Sequence, residues 1–566
     1  METSSFQRSA EAILDEILSW EPTYATHLGW HKYDDHLPDR STESVRNQLD
    51  RMGEIVNQLQ RMDEEALSGD ESIDRDLAVH FLRLRMFELA DLRMFEKSSM
   101  AASEIGDALF FLFARDYLPI EPRFKAILAR LEDIPRFLTS SRKIVKTPIR
   151  LWNEIQHETG ERLPQFLKEI EGVCEERCRD GEMKRRLRSA IRDASAAIVE
   201  HNIWLKKEII PNSSDTYAIG PSLYRLYLLR KGYGVTPEET LRVAELYLEE
   251  VNKQKTDLSN KIVGANDPQA ALMKMRQDHP STSRDVLEAY KVSVVKAREF
   301  IESMGLVTLP PGEKLHIMET PSFMRHLTAY AAQFEPGKFD DDMNGIFLVT
   351  PDDGNPALLE EHNYASIANT SVHEGYPGHH LHGVCMNVHP SFIRPLYQSS
   401  DFAEGWALYC EDMMLSQGYN DNPIGRMAIL NDLAFRIARQ ICDVKMSTNA
   451  MSVEKAAELI SAQTGTNMKA ATSEARAIML SPTYFMSYFI GKLGILQIRD
   501  EVQRVMGAGF DLRFFHDSLI YSGCMPMSFM RRAVALRMKE KFALELGQSR
   551  ETLSEYALRK LNRRGA

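Results

Sequence analysis

Apolar residues recur at intervals of three and four along almost the whole of this 566-residue chain, and that period selects helix over strand. Leu59, Met62 and Ala66, then Leu77, Phe81, Leu84, Phe87 and Ala90, stand in a matrix of Glu, Arg and Asp. Each stretch therefore offers one face to a core and one to water. The same period predicts helices over 124–134, 183–209, 241–251, 286–301, 424–446, 453–462 and 485–506. Some have legible starts. Thr236-Pro237-Glu238-Glu239 offers an N-cap with proline at the first helical position, and Ser452 precedes Val453-Glu454-Lys455.

The period breaks near the middle. Pro310-Pro311-Gly312 ends a helix, residues 314–318 and 345–350 read as short strands, and 334–344 is a turn-rich connector. The chain exceeds what one small core needs. The expectation is a mainly α, two-lobed helical fold. A helical N-terminal lobe spans 1–310, and a catalytic lobe spans 311–566 with a small sheet beside an active-site cleft. Either strand could offer an edge to an extended peptide.

Sixty-nine basic against 81 acidic side chains give a net charge of −12, which argues against nucleic acid and anionic membrane as partners. The first twenty residues lack a basic segment followed by a continuous apolar one, so they do not read as a signal peptide. The strongest apolar run, Ala108–Ala114, stops at Arg115, far short of a membrane span. The six cysteines are scattered and read as free thiols in a reducing compartment, so a cytoplasmic protein is expected.

Six of the sixteen histidines fall between 362 and 389, around Ser371-Val372-His373-Glu374-Gly375-Tyr376-Pro377-Gly378-His379-His380-Leu381-His382. A His-Glu pair followed by another histidine on the same face is how zinc hydrolases build a site: two imidazoles bind the ion and the glutamate takes a proton from the attacking water. The usual second position, four residues on, is Pro377 here. Proline removes a helical donor, so a local bulge is expected. A two-residue excursion brings His379 into place and a three-residue excursion brings His380; His380 is the preferred reading, with His379 as alternate ligand or substrate-binding residue. His362 and His382 read as surface or packing residues.

Glu404 is the candidate third ligand. Phe402, Trp406 and Tyr409 make an apolar stripe that buries its helix, so Glu404 needs a cation to meet it. Asp401 and Glu411 stand ready to orient ligand imidazoles. Further along, Tyr488 lies in an apolar helix where its hydroxyl could stabilise a developing oxyanion, with Tyr484 as fallback and a plain core tyrosine as the bland reading. Arg436 and Arg439 could clamp a substrate carboxylate, although an Arg439–Asp443 ion pair one turn apart competes for Arg439.

The segments HEGYPGHHLH, FAEGWALYCED, FRIARQICD and SPTYFMSYFIGK occur in an order that resembles the family catalogued as domain of unknown function 885, and ATHLGWHKYD and IGPSLYRLYLLRKGYGVTPEE agree with it nearer the start. That family in turn resembles the helical glutamate-zincin peptidases. The resemblance implies a zinc ion held by His373, His380 and Glu404, Glu374 as general base and Tyr488 as the tyrosine that polarises the scissile carbonyl. It also implies a peptide or small amide as substrate. Where much of the family has Asp-Thr-Gly-Leu-His, this chain reads Asp443-Val444-Lys445-Met446-Ser447, without the histidine. The expected activity is zinc-dependent hydrolysis of peptide or amide bonds. The alternatives are a zinc amidase for a non-peptide substrate and a helical protein that binds metal or ligand without turnover.

Overall fold

The computed structural model describes residues 4–321, 324, 325, 328, 330–351 and 356–564. Its architecture is mainly α, with one three-stranded sheet among the described residues. The helix starts follow local chemistry. Thr236 and Glu239 form a reciprocal capping box at Pro237–Val263, and the Ser452 side chain accepts from Lys455 N at Val453–Thr464. The helix expected over 124–134 instead runs Ile120–Ile144, straight through Pro135. Phe137, Leu138 and Ile144 beyond the proline are buried, and that packing outweighs the lost hydrogen bond.

The sheet consists of β1 (Lys314–Glu319), β2 (Ala331–Phe334) and β3 (Asn344–Val349), in the order β1-β3-β2. β1 runs parallel to β3 and β2 antiparallel to it. The sequence anticipated β1 and β3 but not β2, whose residues are all half-buried and show no alternation. β3 is therefore central and offers no edge to a peptide, contrary to expectation; the edges belong to β1 and β2. An unbroken apolar run suits the middle strand because both of its faces are covered. Ile346 and Leu348 pack into a helical core built from Leu37 and residues 101–198, whereas Phe347 and Val349 pack into the largest core.

That largest core unites Leu14, Leu77 and Tyr290 with Phe402, Trp406 and Phe515, so the apolar interior does not divide at residue 310. A third core joins Pro237–Val263 to the helices Pro423–Ser447, Val453–Thr464, Met468–Leu480 and Ser487–Met506. Two helices that carry expected site residues, Ser400–Ser416 and Ser487–Met506, meet backbone to backbone. A Cβ on Gly491 would lie 1.8 Å from Asp401 O, and one on Gly405 would lie 2.5 Å from the Gly491 carbonyl carbon. Glycine at both positions is what lets the axes approach so closely. No described helix is long and apolar enough to cross a membrane.

Candidate metal centre

His373 and Glu374 lie on a single π turn, Ser371–Gly375, that continues the helix Tyr364–Thr370. The chain then turns through Tyr376-Pro377-Gly378, with the Tyr376–Pro377 peptide cis, and helix resumes at His379. Two features hold this turn. Trp406 Nε1 donates to Pro377 O at 2.8 Å, and Gly378 sits where a Cβ would come within 1.9 Å of His373 O. The excursion is thus shorter than the three residues expected, and it brings His379, not His380, beside His373.

His373, His379 and Glu404 each present one ligand atom, and the three lie within 4.8 Å of one another. Glu404 Oε2 is 3.6 Å from His373 Nε2 and 3.2 Å from His379 Nε2. Tetrahedral zinc with bonds of about 2.0–2.1 Å spaces its ligand atoms ~3.3 Å apart, so the donor set fits the ion and leaves a position open. The side chains are 5%, 15% and 10% exposed respectively, which leaves the cluster nearly closed with His379 on its wetter side. Burial opposes charge here, yet the Glu404 and Glu411 carboxylates, facing the two ring nitrogens as acceptors, lift His373 to about 9. Burial likewise opposes ionisation of Glu404, but the two imidazoles beside it hold it well below the usual carboxylate range.

His380 corrects the sequence reading. One residue further around the helix than His379, it points the other way. Its Nε2 is 3.0 Å from Glu313 Oε2, and the same carboxylate accepts from Tyr376 Oη and from Arg298 Nε at 3.0 Å. The ring is wholly buried and lies over Gly345 of β3, where a Cβ would come within 2.4 Å of His380 Nδ1. Burial lowers its pKa. Burial also works against the Glu313 charge, but the His380 and Tyr376 hydrogen bonds bring Glu313 down to about 2. Glu313 had no signal in the sequence beyond its position after Pro310-Pro311-Gly312.

Behind His373, Glu411 Oε1 is 2.7 Å from His373 Nδ1, and Glu411 Oε2 accepts from Asn369 Nδ2 at 2.9 Å. Asn369 also donates to Asp432 Oδ2 at 2.7 Å. Arg436 stands 3.6 Å from both Glu411 and Asp432, so its guanidinium supports this chain of contacts. Of the two acids expected to orient imidazoles, Glu411 does so. Asp401 instead accepts from Ser399 Oγ and from Met527 N at 3.3 Å, and burial pushes it up to about 6. His362 and His382 are buried packing residues, bonded to Thr350 O at 2.8 Å and Gly523 O at 3.4 Å.

The expected Arg439–Asp443 pair does not form. Arg439 lies 4.4 Å from the centre of the Tyr488 ring and 3.6 Å from Glu474. Asp443 accepts from Thr483 N at 2.9 Å, Met486 N at 3.2 Å and Tyr224 Oη at 3.1 Å. Thr483 has φ +73°, a costly conformation for a β-branched residue, and Asp443 pins it there. The turn so pinned carries Tyr484, whose hydroxyl donates to Glu404 Oε1 at 2.5 Å. Tyr488 lies nearly parallel to His373 at 6.5 Å between ring centres, and its hydroxyl is 3.5 Å from that of Tyr484. Glu374 is half-buried next to the cluster; its charge helps hold the His379 pKa up, after that of Glu404.

A family model described as bacterial protein of unknown function (DUF885) matches residues 22–534. No curated protein matches the chain. A solved structure described as a "putative lipoprotein of unknown function" from Shewanella oneidensis aligns at TM-score 0.77 and 23% identity, covering 94% of this chain and 99% of its own. One from Colwellia psychrerythraea, described as a "putative lipoprotein", aligns at TM-score 0.80 and 15% identity over 95% and 100%. These likenesses are of fold. A carboxypeptidase from Pyrococcus furiosus aligns at TM-score 0.33 and 12% identity over 94% and 100%, too little to carry an argument.

Proposed function

The chain belongs to the DUF885 family, whose description assigns no function, and we propose that it is a zinc-dependent hydrolase of peptide or amide bonds. The observation that supports this most is the convergence of His373, His379 and Glu404, backed by Glu411 on the remaining nitrogen of His373. A purely structural zinc takes four protein ligands, whereas three with a half-buried glutamate alongside is the catalytic pattern. When bound, the ion supplies a Lewis acid that acidifies water and polarises a carbonyl.

The protein's own groups do the rest. Glu374 accepts the proton of the attacking water and returns it to the leaving amine. Glu411 fixes the His373 tautomer by accepting from Nδ1–H, which turns Nε2 toward Glu404. Tyr488, with Tyr484 beside it, offers a hydroxyl to the charge that develops on the substrate oxygen. Arg436, engaged by Glu411 and Asp432, serves the site from behind, and Arg439 holds the Tyr488 ring.

The decisive experiment is elemental mass spectrometry of the purified protein and of Glu404→Ala, His379→Ala and His380→Ala, followed by peptide-library cleavage. About one zinc per chain is expected, lost in the first two variants and kept in the third. A folded wild type without stoichiometric metal refutes the hydrolase and favours the non-catalytic binding protein. We also propose a cytoplasmic location, on the ground that all six cysteines are free and buried; the two similar structures are described as lipoproteins, and cell fractionation decides between the cytosol and a membrane-anchored pool.

A further inference from the structure

The two oxygens of Glu404 are treated differently by the fold. Oε2 faces His373 Nε2 at 3.6 Å and His379 Nε2 at 3.2 Å. Oε1 accepts from the Tyr484 hydroxyl at 2.5 Å. A carboxylate that turns both oxygens to an ion supplies two donor atoms. With two imidazoles that makes four, the complement of a closed structural site, and water has no place left. One oxygen toward the ion and the other on Tyr484 leaves that place free.

Tyr484 is itself held on both sides. Its segment joins the helices Met468–Leu480 and Ser487–Met506. The wholly buried Asp443 spans it: Oδ1 accepts from Thr483 N at 2.9 Å and Oδ2 from Met486 N at 3.2 Å. Tyr224 Oη and Ser447 Oγ donate to the same Oδ1 at 3.1 and 3.3 Å, which keeps the carboxylate from turning. Ser487 N and Ser487 Oγ both donate to Tyr484 O, at 3.0 and 2.5 Å. Thr483, at φ +73°, stays in the left-handed region only because these contacts over-determine it. Glu404 is placed just as firmly, one residue before the Gly405–Gly491 contact. Tyr488, whose hydroxyl is 3.5 Å from that of Tyr484, makes no hydrogen bond to Glu404 among the described residues.

We propose that Tyr484 is a positioning residue that restrains Glu404 to binding the metal through one oxygen, and so keeps one position of the ion open for water. This rests on the hydrolase reading above and divides the two tyrosines. Tyr484 serves the ligand, and Tyr488 is left to serve the substrate.

The test loads wild type, Tyr484→Phe and Asp443→Asn with Co(II) and titrates each with azide, a small anion that binds at an open metal position and shifts the visible cobalt bands. Wild type is expected to take one cobalt per chain and to bind azide. Tyr484→Phe should keep its cobalt at saturating metal and its melting temperature, yet bind azide about 10- to 100-fold more weakly, the scale on which a ligand's outer partner acts. A packing role for the tyrosine moves the melting temperature and leaves azide affinity alone. Asp443→Asn exchanges one acceptor oxygen for a donor, so it should weaken azide binding in the same direction by releasing the turn; it decides the matter if Tyr484→Phe does not fold. Azide affinity within twofold of wild type in the folded variants overturns the proposal, as does a folded Tyr484→Phe that takes up no cobalt. Both of those results leave the hydrolase standing. A wild type that binds no cobalt removes the hydrolase, and the role of Tyr484 falls with it.

Discussion

Glu411→Gln tests the centre without touching an expected ligand. Glu411 is 1% exposed, and its Oε1 lies 2.7 Å from His373 Nδ1. Glutamine keeps the shape and an acceptor oxygen but removes the charge that makes the His373 ring a stronger donor toward a cation. Losing such an outer partner lowers metal affinity by about 10- to 100-fold, or ~1.4–2.7 kcal/mol. The same change leaves Arg436 with Asp432 at 3.6 Å as its remaining acid, so the stability cost should stay below the ~3–5 kcal/mol of stranding a buried charge. The assay is zinc competition against a chromophoric chelator at neutral pH, with the melting temperature recorded alongside. A dissociation constant within twofold of wild type, in a protein that melts normally, would falsify the idea that His373 meets a metal through Nε2 with Glu411 behind it.

Other perturbations read separate parts of the site. Gly378→Ala drives a Cβ to within 1.9 Å of His373 O, so it should break the turn and abolish stoichiometric zinc while the helical circular dichroism stays near wild type. Tyr488→Phe should lower kcat by about 10²–10³-fold with little change in zinc content, as loss of an oxyanion donor does; equal kcat would return Tyr488 to the core. Asp443→Ala strands the amides of Thr483 and Met486 at ~1–3 kcal/mol each, visible as a lower melting temperature together with faster exchange of those amides. Burial works against the Glu313 charge, but hydrogen bonds from His380 and Tyr376 hold its folded pKa at about 2 against 4.5 when free. Its stabilising share is therefore complete above pH 4.5 and fades as pH falls toward 2. Glu313→Gln should melt below wild type at pH 7 and converge with it in acid, and a gap that persists at low pH argues against the ionic role.

The helical class was legible because period and caps agree over long stretches, from Thr236 through Val263 and from Ser452 through Thr464. β3 announced itself through an apolar run, while β2 carries four half-buried residues that no alternation marks. At the site, His373, Glu404 and Glu411 followed from residue type and spacing. His379 against His380 did not, because the answer hangs on the path of three residues, 376–378, and that path is set by Trp406 and by the backbone of His373, remote from or invisible to local pattern. Asp443 misled for a similar reason: a carboxylate one turn from an arginine looks paired, but buried backbone amides at Thr483 and Met486 claimed it. Glu313 needed the folded chain, since it meets Tyr376 and His380 from a segment more than sixty residues earlier.

The contact between Gly405 and Gly491 bears on how this centre can vary. Glu404 precedes one glycine, and Tyr488 stands three residues before the other, so carboxylate and tyrosine are gauged against each other by two touching main chains. A single methyl group at either glycine must push the helices apart and carry Glu404 and Tyr488 with them. The spacing between acid and hydroxyl behaves as a fixed dimension of the fold, inherited with the crossing.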